Sequence, residues 1–193
     1  MNSEILALFL GMLCGDGHLS IHHKKREKNT YYDYTTGFCN TDEQIIKLFS
    51  KLFFGIFNVK GNFHPRDRIN RKRIYEFNSY SKEVFDKISN FGFPIGVKRD
   101  KLRIPKIIKE GSAQEKLYFL QGVFLTDGCL KKGRIFFHSG SKIFLEEISE
   151  ITNELYNIKK PIKTFLQKGR FLSYQLILNK DESHKILSLA PIA

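Results

Sequence analysis

The chain has 193 residues, 41% hydrophobic and 13% aromatic, which excludes a disordered chain and supports one large domain or two small halves with real cores. With 32 Lys and Arg against 20 Asp and Glu, the net charge of +12 points to a polyanionic partner, nucleic acid first. No apolar run reaches the roughly 18 residues of a membrane span, and the N-terminus lacks the basic flank and cleavage site of a secretory signal, so an intracellular protein with no membrane partner is expected.

The first element, LFLGMLCGDG (Leu8 to Gly17), reads as an apolar helix that stops at Gly-Asp-Gly. An acid is electrostatically misplaced at a helix C-terminus, where the peptide dipoles leave partial negative charge. HLSIHHKK and TYYDYTTGFCN then read as extended segments. TDEQIIKLFSKLFFGIFN has helical spacing at Ile45, Leu48, Phe49, Leu52 and Phe53, with Thr41 and Gln44 placed as a capping box. VKGNFHPRD and RKRIYEFNSY suggest two more strands, and Ser81 opens a short helix that Gly92 can end.

A basic segment follows, PIGVKRDKLRIPKIIKEGS, with the Pro and Gly-Ser content of a linker. Ser112 and Glu115 cap the next helix, which carries FLQGVFLTDG (Phe119 to Gly128), a second copy of the opening motif ending in Asp127. GCLKK, GRIFFHS, an amphipathic SKIFLEEISEITNELYN, KPIKTFLQK, RFLSYQLILN and DESHKILSL repeat the earlier order. The chain therefore reads as α+β, with two αββαββα halves (1–93 and 113–193) joined by a linker over 94–112. Each half carries a four-stranded antiparallel sheet with one face covered by helices.

Positive charge clusters on the expected hairpins: Lys24, Lys25, Arg26 and Lys28; Lys60, Arg66, Arg68, Arg71, Lys72 and Arg73; Lys131, Lys132 and Arg134; Lys163, Lys168 and Arg170. Helix 141–157 instead carries Glu146, Glu147, Glu150 and Glu154. Basic strands with an acidic outer helix suggest sheets turned toward phosphate, with Tyr32, Tyr34, Gln167, Tyr174 and Gln175 interleaved to read base edges. Cys14, Cys39 and Cys129 have no metal-ligand spacing and are expected to be reduced and buried. His22 and His23 lack zinc spacing, and no Walker-type loop or nucleophilic triad is present.

Gly11 and Gly15 lie four apart, as do Gly122 and Thr126, so each motif helix offers a small-residue face for close packing. Parallel packing on those faces brings Asp16 and Asp127 together. Two carboxylates at two helix C-termini need protons or cations, and Mg2+ is the usual partner beside phosphates.

The two stretches resemble the LAGLIDADG motif of homing endonucleases, in the single-chain, two-motif form, and the likeness extends over nearly the whole chain. It implies two halves packed through the motif helices, with saddle-shaped sheets astride a DNA duplex of roughly 20 bp. It implies a monomer that makes a Mg2+-dependent double-strand break with short 3′ overhangs, Mn2+ or Ca2+ substituting in binding. Asp16 and Asp127 map to the metal-binding acids, with the carbonyls of Gly15 and Thr126 beside them. Cys14 and Leu125 replace the motif's first acid. Asn40 and His138 match polar strand-end positions near the attacking water, and Lys98 and Lys101 match basic residues that come from the linker. An RNA maturase acting on intron RNA, or a non-catalytic DNA-binding regulator, is the alternative on this fold. An intein is disfavoured, since the chain opens on Met1 rather than a nucleophile and lacks a terminal His-Asn.

Overall fold

In the computed structural model, which describes residues 2–26, 29–69, 71–167 and 171–187, helix α1 (Ser3–Asp16) starts where the Asn2 side chain accepts the amides of Glu4 and Ile5. Leu6, Ala7 and every residue from Phe9 to Gly15 are buried, so α1 is apolar on nearly all sides because it lies between layers. It runs directly into β1 (Gly17–Arg26), which pairs with β2 (Asn29–Asn40). Helix α2 (Glu43–Phe57), strands β3 (Asn62–Arg68) and β4 (Arg71–Ser79), and α3 (Lys82–Asn90) complete the first sheet, in the order β1-β2-β4-β3. Every pairing in it is antiparallel.

After α4 (Lys106–Lys109), α5 (Ala113–Asp127) repeats the part of α1. Its Ser112–Glu115 capping box is complete, with both reciprocal bonds formed. Strands β5 (Gly128–Lys131) and β6 (Arg134–Ser139), α6 (Lys142–Tyr156), β7 (Lys163–Gln167), β8 (Phe171–Ile177) and α7 (Lys180–Leu187) follow, with sheet order β5-β6-β8-β7. The β5–β6 turn holds Lys132 and Gly133 at φ of 52° and 74°, the twist that a tight hairpin needs. The first half is packed around phenylalanines: Phe38 stacks on Phe49 at 4.0 Å, and Phe9, Phe53 and Phe77 close around them. The second half uses Phe119, Phe137 and Phe144 with Ile148, Ile151 and Leu176.

Three local expectations change. Asp42, not Thr41, caps α2, its carboxylate accepting the Gln44 amide at 2.8 Å, because the helix begins one residue later. Glu147 does not face solvent: it is 8% exposed, accepts the Ile104 amide at 2.7 Å and pairs with Lys109, fastening the linker to α6. Only Cys14 is buried; Cys39 is half-buried and Cys129 exposed.

Helices α1 and α5 pack in parallel along their small-residue faces. A Cβ on Gly122 would collide with the Leu8 carbonyl oxygen and come within 2.7 Å of the Met12 amide; one on Gly11 would collide with the Phe119 carbonyl oxygen. Backbone cannot yield as a side-chain tip can, so Gly122→Val should cost about 3 kcal/mol. Gly55, on α2, has nothing within 4 Å of its would-be Cβ, so Gly55→Ala should stabilise by about 0.5–1 kcal/mol. Urea unfolding of the two variants should show shifts of opposite sign.

Candidate functional site

Parallel packing of α1 and α5 carries both C-terminal ends to one place. Thr126 fills the space beside Gly15, which brings Gly15 close to the Asp127 amide. Asp16 is near enough to Asp127 to raise its pKa. Burial pushes both carboxyls above their ordinary range, that of Asp127 up to about 6, helped by the charge of Asp16.

Lys98 reaches this place from the linker. Its ammonium donates to the carbonyls of Cys14 (2.9 Å) and Gly15, orphan acceptors at the end of α1, and to that of Gly17 (3.0 Å), the first residue of β1. Burial lowers its pKa, while Asp127, Cys14 and Asp16 oppose that shift. Lys101 sits one turn on, exposed, its amide bonded to the Lys98 carbonyl at 3.1 Å. Burial pushes the neighbouring Cys14 thiol up to about 12, so it stays protonated.

Asn40, at the end of β2, donates to Asp16 Oδ2 at 2.6 Å, and its own oxygen accepts the Asp42 amide at 2.7 Å. It therefore orients the carboxylate and ties it to the start of α2. Strand register assigns its counterpart in the second half. Gly17 pairs with Phe38 and Gly128 with Phe137, so Asn40 corresponds to Ser139, and His138 corresponds to Cys39. The Ser139 hydroxyl accepts the Ser141 amide at 3.1 Å, repeating the turn that Asn40 makes. With Lys98, Arg99 and Gly140 it lines a cleft beside Asp127. His138 instead points to the open sheet face, bonded to Gln175 at 3.1 Å with its ring against Phe165. Counting forward from each motif misses Ser139 because β1 and β2 are longer than β5 and β6. Counting back from each helix cap finds it, since Asn40 and Ser139 each stand two residues before a cap.

The opposite sheet faces differ in character. Burial and register place Leu19, Phe38 and Phe77, and in the second half Ile135, Phe137 and Leu176, toward the helices. The alternate positions form the open faces, where Arg66, Lys131, Arg134, Lys163 and Gln175 fall. Arg66 is bonded to Glu76 at 3.0 Å there. Tyr34 and Tyr174 fall on the helix side instead. Tyr34 packs edge-on against Phe85 with Lys82 over its ring, and Tyr174 packs against the core, so neither is presented on the open face.

Tyr32 shares the Tyr34 side but lies beyond the helices, exposed against His23. Arg73 shares the Tyr75 side and forks onto Asp67 at 2.7 and 3.3 Å. Lys132 sits exposed in the β5–β6 turn. Lys24, Lys25 and Arg26 lie at the end of β1, and Arg68 pairs with Arg71 at the β3–β4 turn. The side chains of those five, and of Gln167, lie outside the described residues, as do Lys28, Lys168 and Arg170 entirely.

No group of three His, Cys, Asp or Glu that could hold a metal occurs among the described residues. The donor set is two carboxylates, Asp16 and Asp127. That set suits Mg2+, which binds through one or two carboxylates and takes its remaining ligands from water and phosphate. The Gly15 carbonyl is taken by Lys98, and the Thr126 hydroxyl is turned back onto the carbonyls of Gly122 and Val123 at 3.1 Å. Among the described residues no helix is long and apolar enough to cross a membrane.

Residues 114–190 match the family model of the LAGLIDADG-like domain. A structure of I-DmoI in complex with DNA and Ca is similar over 97% of this chain and 88% of that one, with 22% identity and a TM-score of 0.71. The same protein has been solved with DNA and Mn, and a variant of it with target DNA and Mg. Full-length DUF199/WhiA from Thermatoga maritima is similar over 100% of this chain and 57% of its own, with 13% identity and a TM-score of 0.62. In sequence, 146 residues are 33% identical to "Replication factor C small subunit" of Methanocaldococcus jannaschii, covering 76% of this chain and 7% of that protein. The chain thus spans a small fraction of that relative's length.

The raised pKa of Asp127 has a thermodynamic consequence. The folded protein holds a proton that the unfolded chain releases, so this group's contribution to stability falls as pH rises from 3.8 to about 6. At pH 7 the penalty is of order 3 kcal/mol. In EDTA at pH 7.5, Asp127→Asn should raise the melting temperature by about 6–12 °C and weaken its dependence on pH below 6. Calorimetry of the variant and the parent from pH 4 to 8 measures both effects.

Proposed function

We propose, from the premise that this chain belongs to the LAGLIDADG family, that it is a site-specific homing endonuclease. It acts as a monomer on a duplex of roughly 20 bp. It breaks both strands with a divalent cation, Mg2+ in the first place, held by Asp16 and Asp127, and leaves short 3′ overhangs. The observation that carries this reading is the pair of half-buried carboxylates at adjoining helix ends, both held above their ordinary pKa, between two sheets with basic open faces.

Burial supports the metal assignment, because desolvated carboxylates above their ordinary pKa gain when a cation replaces the proton. A cation bound there supplies Lewis-acid polarisation of the phosphodiester and acidification of bound water. Asn40 fixes the orientation of Asp16. Lys98 neutralises the α1 carbonyls, so that end of the helix does not repel phosphate. Arg66, Lys131, Arg134 and Lys163 supply phosphate contacts from the open faces, and His138 with Gln175 supplies polar groups that can meet base edges. A non-catalytic binder is the second reading. It is favoured by the shorter Ser139, which stands where Asn40 would be in the second half and bonds the Ser141 amide.

Incubation with Mg2+ and a pooled duplex library, followed by sequencing of new ends, tests both readings. Defined cuts with short 3′ overhangs, lost in EDTA, are the expected result. Asp16→Asn and Asp127→Asn should each lower double-strand cleavage by at least about 100-fold while retaining binding. Retained cleavage in either variant would overturn the shared metal site, and selective binding without cuts would favour the second reading.

A further inference from the structure

Both halves form a shallow groove between the helix that follows the first hairpin, α2 or α6, and the sheet-edge strand, on the side away from His64 and Arg66. In the first half, between α2 and β3, it is lined by Lys47, Lys51, Lys60, Phe54 and Phe63. Phe54 and Phe63 are 45% and 41% exposed, and Phe63 stacks on Tyr75 at 5.9 Å with planes 11° apart. Lys47 is held by Glu43 at 2.7 Å, whereas Lys51 and Lys60 have no ion-pair partner among the described residues. Nearby Arg73 is already paired with Asp67.

The second half provides an internal comparison. Asp42 and Ser141 cap α2 and α6, and Asn58 and Asn157 end them in the same left-handed conformation, so the two grooves align residue by residue. Glu146 and Glu150 stand where Lys47 and Lys51 do, and Asn153 and Ile162 where Phe54 and Phe63 do. Lys159 keeps the place of Lys60, and Lys142 and Lys160 also line the second groove, paired with Glu146 and Glu182. The fold makes the groove twice; only the first copy has no acid in its lining and carries two rings.

We infer that the α2–β3 groove binds single-stranded nucleic acid, with phosphates at Lys51 and Lys60 and a base extending the Tyr75–Phe63 stack toward Phe54. Charge complementarity selects a polyanion, and two exposed rings between ammonium groups select one with unpaired bases, which a duplex does not offer. The site lies on the helix side of the sheet and does not depend on cleavage of duplex DNA.

Fluorescence anisotropy of the full chain with labelled oligouridine and oligothymidine of roughly 10 nucleotides tests it, with a random-sequence duplex in parallel. Phe54→Asn together with Phe63→Ile installs the second half's residues without changing charge. Single-strand affinity should fall about tenfold or more while duplex affinity stays within about twofold. An unchanged single-strand affinity, in a variant that melts like the parent, overturns the site. Should that variant not fold, Lys51→Glu with Lys60→Gln serves. A larger loss for the single strands than for the duplex supports the groove, and equal losses overturn it. Tighter binding of oligouridine would identify RNA as the source of the strand, and equal binding a strand of either sugar. Duplex cleavage by the groove variants should be retained, so failure here is separable from failure of the nuclease reading.

Discussion

The close approach of α1 and α5 governs the rest of the structure. At Gly11 and Gly122 each helix backbone occupies the volume where the other would carry a Cβ. That contact is what one helix of each half contributes to a shared core, and it fixes both helices in parallel. Parallel packing puts two C-terminal dipole ends together, and the chain adds a carboxylate to each. The resulting negative spot is what burial makes unstable as ions. It is also what Lys98 partly relieves by binding the α1 carbonyls.

That relief is one-sided, and so is much else. Lys98 caps α1, while at α5 the Thr126 hydroxyl satisfies carbonyls of its own helix. Asn40 reaches Asp16, while Ser139 is too short to copy it and closes a local turn. The charge of the outer helix reverses between halves. Duplication supplied two equivalent frames, and side-chain length and charge then gave the two carboxylates different surroundings.

Charge is sorted by strand parity as well as by cluster. Arg66 and Arg73 are neighbours in composition, but register sends Arg66 to the open face and Arg73 to the helix side, and each has its own acid. Tyr34 and Tyr174 are polar-tipped aromatics that serve the core from positions where the alternation turns them inward. A count of basic and aromatic residues per hairpin therefore overstates what the open faces carry.

The sequence by itself determined the two-half α+β plan, the order of elements, the paired motif helices and the two carboxylates, because small-residue spacing and apolar periodicity are local and repeated. It also determined the Ser81 cap and the Ser112–Glu115 capping box, which depend on a few adjacent residues. Only the tertiary structure decided that Lys98 caps α1, that Ser139 rather than His138 is the mate of Asn40, and that Glu147 anchors the linker. Those features depend on strand register and on contacts between residues far apart in sequence. A one-residue change in register reverses the face of every side chain in a strand, and no local pattern encodes it when the two hairpins differ in length.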